Sequence, residues 1–126
     1  MIQVVDTSVL LAGLLGEVGG EVLLRPGQTF HFSAVNLGEV YSKVLERGGA
    51  GADVDAFLAA LPLSIDPFDG ELARIVGDLR LLTRRRGLSF GDRACLALAM
   101  RSNLPVLTAD RAWLTLGLDL DIRLIR

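Results

Sequence analysis

Two periodicities alternate along this chain, and together they predict its fold class. Five short runs are rich in apolar residues and have the length of strands; they lie at residues 2–5, 29–32, 63–65, 106–108 and 122–125. The intervening segments repeat apolar residues at helical spacing; helices are expected at 8–15, 19–24, 34–47, 53–61, 68–86, 89–102 and 111–116. Strands interleaved with helices predict an α/β fold, with a parallel sheet covered on both faces.

Size and composition narrow the class of protein. The chain has 126 residues, of which 51% are hydrophobic, so we expect one ordered domain over residues 1–126. No signal peptide or membrane-length apolar stretch is visible, and a cytoplasmic protein is expected. The formal net charge is −2, so nucleic-acid binding would need a local basic patch or a metal ion. One cysteine, Cys95, and one histidine, His31, argue against a cysteine-rich zinc site and a catalytic triad.

Four acidic residues occupy positions that an α/β fold brings together. Asp6 follows the first predicted strand, and Asp110 follows the fourth. Asp92 lies in the first turn of a very apolar helix, and Glu39 lies on the helix that begins after Ser33. Ligand sites of α/β proteins form at the carboxyl ends of their strands. Clustered carboxylates repel one another, and a divalent cation is the usual reason for such an arrangement.

Each acid also has an ordinary structural explanation. An aspartate before a helix can act as an N-cap, which would account for Asp6 and Asp110. Ser89 and Asp92 have the spacing of a capping box. Glu39 could pair with Lys43, the only lysine, one helical turn later. The joint pattern, rather than any one acid, favours a metal site.

Four segments carry a resemblance to a known family. In chain order they are Asp6-Thr7-Ser8, residues 33–40 (SAVNLGEV), residues 87–99 (GLSFGDRACLALA) and residues 107–110 (LTAD). They resemble the ordered motifs of PIN-domain ribonucleases, and most closely those of VapC-type toxins from type II toxin–antitoxin modules. The resemblance extends over essentially the whole chain.

The resemblance implies a specific fold and activity. It implies a three-layer α/β/α fold with strand order 3-2-1-4-5, Mg²⁺- or Mn²⁺-dependent endonucleolytic cleavage of RNA, a homodimer and inhibition by a cognate antitoxin. By motif match, the catalytic positions are Asp6, Glu39, Asp92 and Asp110, the metal ligands are Asp6, Asp92 and Asp110, and the supporting polar residues are Thr7, Ser8 and Asn36. Some relatives have a further acid where this chain has Arg111, Ala112 and Trp113, so the binding of a second metal stays open.

Positive charge near the acids would be needed to bind RNA. The candidates are Arg84, Arg85, Arg86, Arg93 and Arg111. The triple arginine could equally be a solvated helix end. The apolar segments 9–15 and 22–24 could be core, or a groove for a partner helix or a second copy.

Three other functions are compatible with parts of the pattern. A phosphorylation-dependent receiver domain has a similar length and acids at strand ends, but Asp6 has no acidic neighbour and the only lysine lies on the helix after the second strand. A catalytically idle binding module would use the acids only as caps. An RNA-processing PIN nuclease outside toxin–antitoxin systems would catalyse the same cleavage reaction in a different cellular role.

Overall fold

The computed structural model describes residues 1–126 and contains a five-stranded, entirely parallel sheet. The strands are β1 Ile2–Val5, β2 Thr29–Ser33, β3 Leu63–Asp66, β4 Val106–Thr108 and β5 Ile122–Leu124. The α-helices are α1 Thr7–Leu15, α2 Ala34–Glu46, α3 Gly51–Ala59, α4 Gly70–Thr83 and α5 Phe90–Ser102. Short 3₁₀ helices cover Gly20–Leu24, Arg84–Arg86 and Arg111–Thr115. The predicted α/β class is therefore confirmed.

The strand order is β3-β2-β1-β4-β5, as the resemblance implied. Strand β1 lies at the centre and pairs with β2 on one side and with β4 on the other. Receiver-type domains have the order 2-1-3-4-5, so this topology excludes the receiver alternative. Because all strands run in one direction, the residues that follow β1, β2 and β4 meet at one edge of the sheet.

Helices cover both faces of the sheet and complete three layers. On one face, α5 is buried almost all round: every residue from Ala94 to Ala99 has no exposed surface, and these residues pack with Val4, Val106 and Trp113. The Cys95 thiol is buried here. On the other face, α1 and α2 pack around Phe30 and Phe32. The sheet thus separates two apolar clusters, which hold the strand ends in fixed positions.

The apolar segments near the N-terminus mostly belong to the core. Val9, Leu10 and Leu23 have no exposed surface, whereas Leu15 and Leu24 are exposed. The core interpretation is therefore correct for most of this region. None of the helices is both long enough and apolar enough to cross a bilayer.

Several predicted helix boundaries were wrong by a few residues. Asp53 does not begin its helix but lies in the first turn of α3, where its carboxylate accepts a hydrogen bond from the Ala50 N–H. Helix α4 begins later than predicted because Asp69 is its N-cap, accepting from the Leu72 N–H. The end of the predicted helix, Arg84–Arg86, forms a 3₁₀ turn closed by Gly87 in the left-handed region.

Candidate functional site

All four predicted carboxylates line one open pocket of about 430 Å³ at the carboxyl edge of the sheet. The other lining residues are Thr7, Ser8, Leu11, Leu15, Glu17, Lys43, Arg47, Ser89 and Arg126. The acids come from the end of β1, the middle of α2, the first turn of α5 and the residues after β4. Residues separated by more than a hundred positions therefore share one concave surface.

Asp6 is a buried carboxylate held by two hydroxyl groups. Its Oδ2 accepts from Ser8 Oγ at 2.8 Å and from Thr108 Oγ1 at 3.1 Å, and only 5% of the residue is exposed. Ser8 Oγ in turn accepts from the Ala109 N–H at 3.0 Å, which ties the end of β1 to the end of β4. Asp6 occupies the N-cap position of α1, but its side chain makes no capping hydrogen bond. Capping therefore does not explain this side chain.

Glu39 is positioned by side chains from two elements. Its Oε1 accepts from Thr7 Oγ1 at 2.7 Å and from Asn36 Nδ2 at 2.9 Å. Asn36 is completely buried, and its Nδ2 also donates to the Gly91 carbonyl at 2.9 Å. The alternative ion pair between Glu39 and Lys43 is not formed. The Glu39 carboxylate is instead directed into the pocket.

Asp92 and Asp110 serve as helix caps and also line the pocket. The capping box on α5 is present: Asp92 Oδ2 accepts from the Ser89 N–H at 3.0 Å, and Ser89 Oγ accepts from the Asp92 N–H at 3.1 Å. Asp110 caps its 3₁₀ helix through Oδ1, which accepts from the Ala112 N–H at 3.0 Å. For these two residues, the structural and the functional interpretations are compatible.

The four carboxylates share one feature of their hydrogen bonding. By distance and angle, each accepts hydrogen bonds on a single oxygen; these oxygens are Oδ2 of Asp6, Oε1 of Glu39, Oδ2 of Asp92 and Oδ1 of Asp110. The second oxygen of each group is left without such a donor. The protein thus orients each carboxylate through one oxygen and leaves the other available to a ligand.

Burial and mutual repulsion make the ionised pocket costly. Burial is the main cause that raises the pKa of Asp6 from 3.8 to about 6; the nearby Asp92 charge raises it further, and the hydrogen bonds from Ser8 and Thr108 oppose the shift. The pKa of Asp92 is also raised, first by burial and then by the charges of Glu39 and Asp110. Burial raises the pKa of the Cys95 thiol beneath them well above its usual value. A bound cation would relieve this repulsion.

The raised pKa of Asp6 predicts a distinct pH dependence of stability. A carboxyl whose pKa is higher in the folded state than in the unfolded state stabilises the fold when protonated, so this contribution is lost as pH rises from about 4 to about 6. The loss amounts to about 3 kcal/mol. Asp6→Asn keeps the hydrogen-bond acceptor but cannot ionise. We measure the free energy of unfolding in urea with EDTA. We expect the difference between Asp6→Asn and the wild type to change in favour of the variant by about 3 kcal/mol between pH 4 and pH 7.

Asp119→Asn is a suitable control for this measurement, because Asp119 is exposed and lies outside the pocket. Its unfolding free energy is expected to follow that of the wild type at every pH. If Asp6→Asn also ran parallel to the wild type, the burial cost assigned to Asp6 would be wrong.

The predicted RNA-binding arginines have different surroundings. Arg84, Arg85 and Arg86 are exposed and do not line the pocket. Arg93 donates to the Val76 carbonyl at 3.0 Å and lies over the Phe90 ring at 5.6 Å, so its guanidinium is engaged within the fold. Arg111 is exposed and directly follows Asp110. Arg93 and Arg111 directly follow the pocket carboxylates Asp92 and Asp110, and of these two arginines only Arg111 is exposed.

Several residues that line or support the pocket are not among those predicted from the sequence. They are Glu17, Arg47, Ser89, Thr108 and Arg126, together with Lys43 in any role other than a partner for Glu39. For Lys43 and Arg47 a signal was present, because they follow Glu39 at intervals of four residues on one helix. Arg126 and Glu17 had no local signal, since a long-range ion pair of 3.3 Å places them together.

The carboxylate oxygens of the pocket suit a hard divalent cation, although the acidic side chains are too far apart to form a complete set of metal ligands as they stand. No three acidic, histidine or cysteine side chains lie close enough to form a ready set of ligands. Carboxylate oxygens are nevertheless what Mg²⁺ and Mn²⁺ prefer, and Mg²⁺ typically binds through one or two carboxylates and several waters. The free oxygens and the raised pKa values fit such an ion.

Comparisons with known proteins agree with the topology. The PIN domain family model matches residues 3–117. A comparison with curated protein sequences finds no significant match. Among solved structures, VapBC2 from Rickettsia felis bound to promoter DNA is 19% identical, with 98% of each chain covered and a TM-score of 0.75.

Two structures from Mycobacterium tuberculosis are also similar. VapC20, described as a sarcin–ricin loop cleaving toxin, is 21% identical with a TM-score of 0.72, covering 98% of this chain and 99% of that one. VapBC-5, a member of the VapBC family of toxin–antitoxin systems, is 28% identical with a TM-score of 0.63, covering 99% of this chain and 98% of that one. Because the family model spans most of the chain and the strand order agrees with it, this protein belongs to the PIN domain family.

Proposed function

We propose that this protein is a Mg²⁺- or Mn²⁺-dependent endoribonuclease that hydrolyses RNA phosphodiester bonds. One observation carries the proposal: four carboxylates from separate elements line a single pocket, and each keeps one oxygen free of hydrogen bonds from the protein. Such a set of anionic oxygens repels RNA unless a cation lies between them. A divalent cation held by these oxygens would offset the repulsion, and an RNA phosphodiester is the substrate that we propose.

In the proposed mechanism Asp6, Asp92 and Asp110 would hold the metal. When bound, the ion supplies positive charge that stabilises the charge developing on the phosphoryl group and makes water a better nucleophile. Ser8 and Thr108 keep Asp6 in a fixed orientation, and the Ser89 N–H does the same for Asp92. This rigidity limits the reorganisation needed when substrate binds.

Glu39 has a separate role in this proposal. Thr7 and Asn36 hold its Oε1, which leaves Oε2 free to accept a hydrogen bond or a proton from the attacking water. The raised pKa values of Asp6 and Asp92 show that the pocket disfavours additional negative charge when no cation is present. The proposed chemistry requires no histidine, and His31 lies on β2 paired with Asp66 rather than in the pocket.

We further propose that the enzyme is the toxin of a toxin–antitoxin pair, with a cognate antitoxin as its partner and a homodimer as its assembly. The similar structures named VapBC and VapC20 support the toxin and antitoxin parts of this proposal. An RNA-processing nuclease outside such systems would have the same pocket. Growth arrest on expression, relieved by co-expression of a neighbouring gene, would distinguish a toxin from a processing enzyme.

Metal binding is the first test of the proposed function. We expect millimolar Mg²⁺ or Mn²⁺ to raise the melting temperature of the wild type at pH 7.5 by several degrees, because the ion binds the folded state and relieves carboxylate repulsion. The same ions should activate cleavage of RNA, and EDTA should abolish it. Differential scanning fluorimetry and gel analysis of labelled RNA measure the two effects.

The control for a general salt effect is NaCl at matched ionic strength. An unchanged melting temperature in both metals would count against the metal site. Tight binding of a partner without metal-dependent cleavage of any RNA would support the idle binding module instead.

A further inference from the structure

We infer that Lys43 and Arg47 form a second phosphate-binding surface that positions the RNA strand beside the carboxylate pocket. This inference rests on the proposed ribonuclease function and extends it to the path of the substrate. Glu39, Lys43 and Arg47 follow one another at intervals of four residues along α2 and its C-cap, so all three lie on one face of the helix. All three also line the same pocket.

The two basic side chains carry uncompensated charge. Both residues are exposed, and neither side chain takes part in any of the five ion pairs or in any hydrogen bond. Arg126, the third basic group of the pocket, differs because it donates to Glu17 at 3.3 Å and to the Val18 carbonyl at 3.0 Å. Lys43 and Arg47 are therefore the pocket cations that remain available for an anionic ligand.

The absence of ion pairs at Lys43 and Arg47 is informative because acidic residues line the same pocket. Five acidic residues line the pocket, yet Glu39, one turn from Lys43, receives its hydrogen bonds from Thr7 and Asn36 instead. The pocket lining thus combines carboxylates that are held by polar neighbours with two cations on α2 that have no ion-pair partner. Successive turns of α2 are ~5.4 Å apart, which is on the scale of a nucleotide step. A strand whose scissile phosphate lies beside the four carboxylates would place neighbouring phosphates along Lys43 and Arg47.

A purely structural explanation of these residues is testable. Lys43 lies in the last turn of α2 and Arg47 is its C-cap, where positive charge interacts favourably with the helix dipole by ~0.3–1 kcal/mol. Helix stabilisation would affect only the melting temperature. Phosphate binding predicts in addition a loss of affinity for RNA and a weaker dependence of that affinity on salt.

The test measures binding of a fluorescein-labelled oligouridylate by fluorescence anisotropy, over a range of KCl at a fixed low CaCl₂ concentration, with gels to show that the RNA stays intact. The variants are Lys43→Gln/Arg47→Gln and, as control, Arg74→Gln/Arg80→Gln. Arg74 and Arg80 are exposed on α4 and line no pocket. Each double variant lowers the formal net charge by two, from −2 to −4. Melting temperatures confirm that both remain folded.

We expect the slope of log affinity against log salt to fall by about 1.4 for the Lys43/Arg47 variant, because each lost contact to a single strand removes ~0.7. The control should keep the slope of the wild type. In cleavage assays the Lys43/Arg47 variant should raise KM about tenfold and leave kcat nearly unchanged, as expected for lost substrate binding away from the reacting atoms.

Three results would overturn the inference: an unchanged slope, an equal fall in both double variants, or no binding of the oligouridylate by the wild type. If the salt-dependence slope fell only for Arg85→Gln/Arg86→Gln, the phosphate contact would belong to the arginine run predicted from the sequence, and the inference about Lys43 and Arg47 would also be overturned. Because the binding assay needs no cleavage, it separates the two proposals. If the slope fell only in the Lys43/Arg47 variant and the wild type cleaved no RNA, the phosphate-binding surface would be supported and the ribonuclease proposal would be refuted.

Discussion

Asp92→Asn is expected to reduce metal-dependent RNA cleavage by at least about 10³-fold and to leave the fold intact. A missing metal ligand removes several kcal/mol of transition-state stabilisation, and each 1.4 kcal/mol is a tenfold change in rate. The fold should persist because asparagine keeps the oxygen that accepts from the Ser89 N–H, so the capping box can still form. Cleavage of labelled RNA and thermal melting measure the two outcomes.

The same variant should also respond less to metal. Since Asp92 is repelled by Glu39 and Asp110, removal of its charge relieves repulsion in the metal-free protein. We therefore expect a melting temperature equal to or above that of the wild type in EDTA, and a smaller rise on addition of Mg²⁺.

Ser89→Ala separates capping from chemistry. It removes the acceptor for the Asp92 N–H but keeps the Asp92 carboxylate. A loss of about 1 kcal/mol in stability with cleavage retained is the expected result.

For the Asp92→Asn variant, cleavage at the wild-type rate would contradict the assigned role of Asp92.

Gly91→Ala is expected to lower cleavage by about 10²-fold through Glu39, a residue on another helix. The added Cβ would collide with both carboxylate oxygens and the Cδ of Glu39. The Glu39 side chain must then leave the position in which Thr7 and Asn36 hold it. A displacement of about 1 Å in a catalytic group can cost about 10²-fold in rate. Steady-state cleavage kinetics test this, with the effect expected mainly in kcat.

Gly38→Ala is the matched control, since it makes the same change one residue before Glu39 where nothing lies within 4 Å of the new Cβ. It should keep full activity and gain up to about 1 kcal/mol in stability from the higher helix propensity of alanine. If Gly91→Ala were as active as Gly38→Ala, the Glu39 carboxylate would not need the position seen here.

Local sequence pattern accounts for the elements and for the four acids. The five apolar-rich runs form the strands. The glycine after Leu15 ends α1, and the serines before α2 and α5 are the N-caps of those helices. The errors lie at helix boundaries that depend on which residue acts as the cap: α4 begins at Gly70, after its N-cap Asp69, and not at Phe68 as predicted. Such choices depend on tertiary contacts, and the Arg101–Asp69 ion pair of 2.7 Å is one of them.

The amino-acid sequence by itself determined the alternation of strands and helices and the order of the acidic motifs, because both depend on neighbours within a few turns of chain. Only the tertiary structure decided which oxygen of each carboxylate is free, that Gly91 must lack a side chain, and that Lys43 and Arg47 rather than the arginine run line the pocket. These properties arise from contacts between residues tens of positions apart, and such contacts exist only once the sheet has brought its carboxyl ends together.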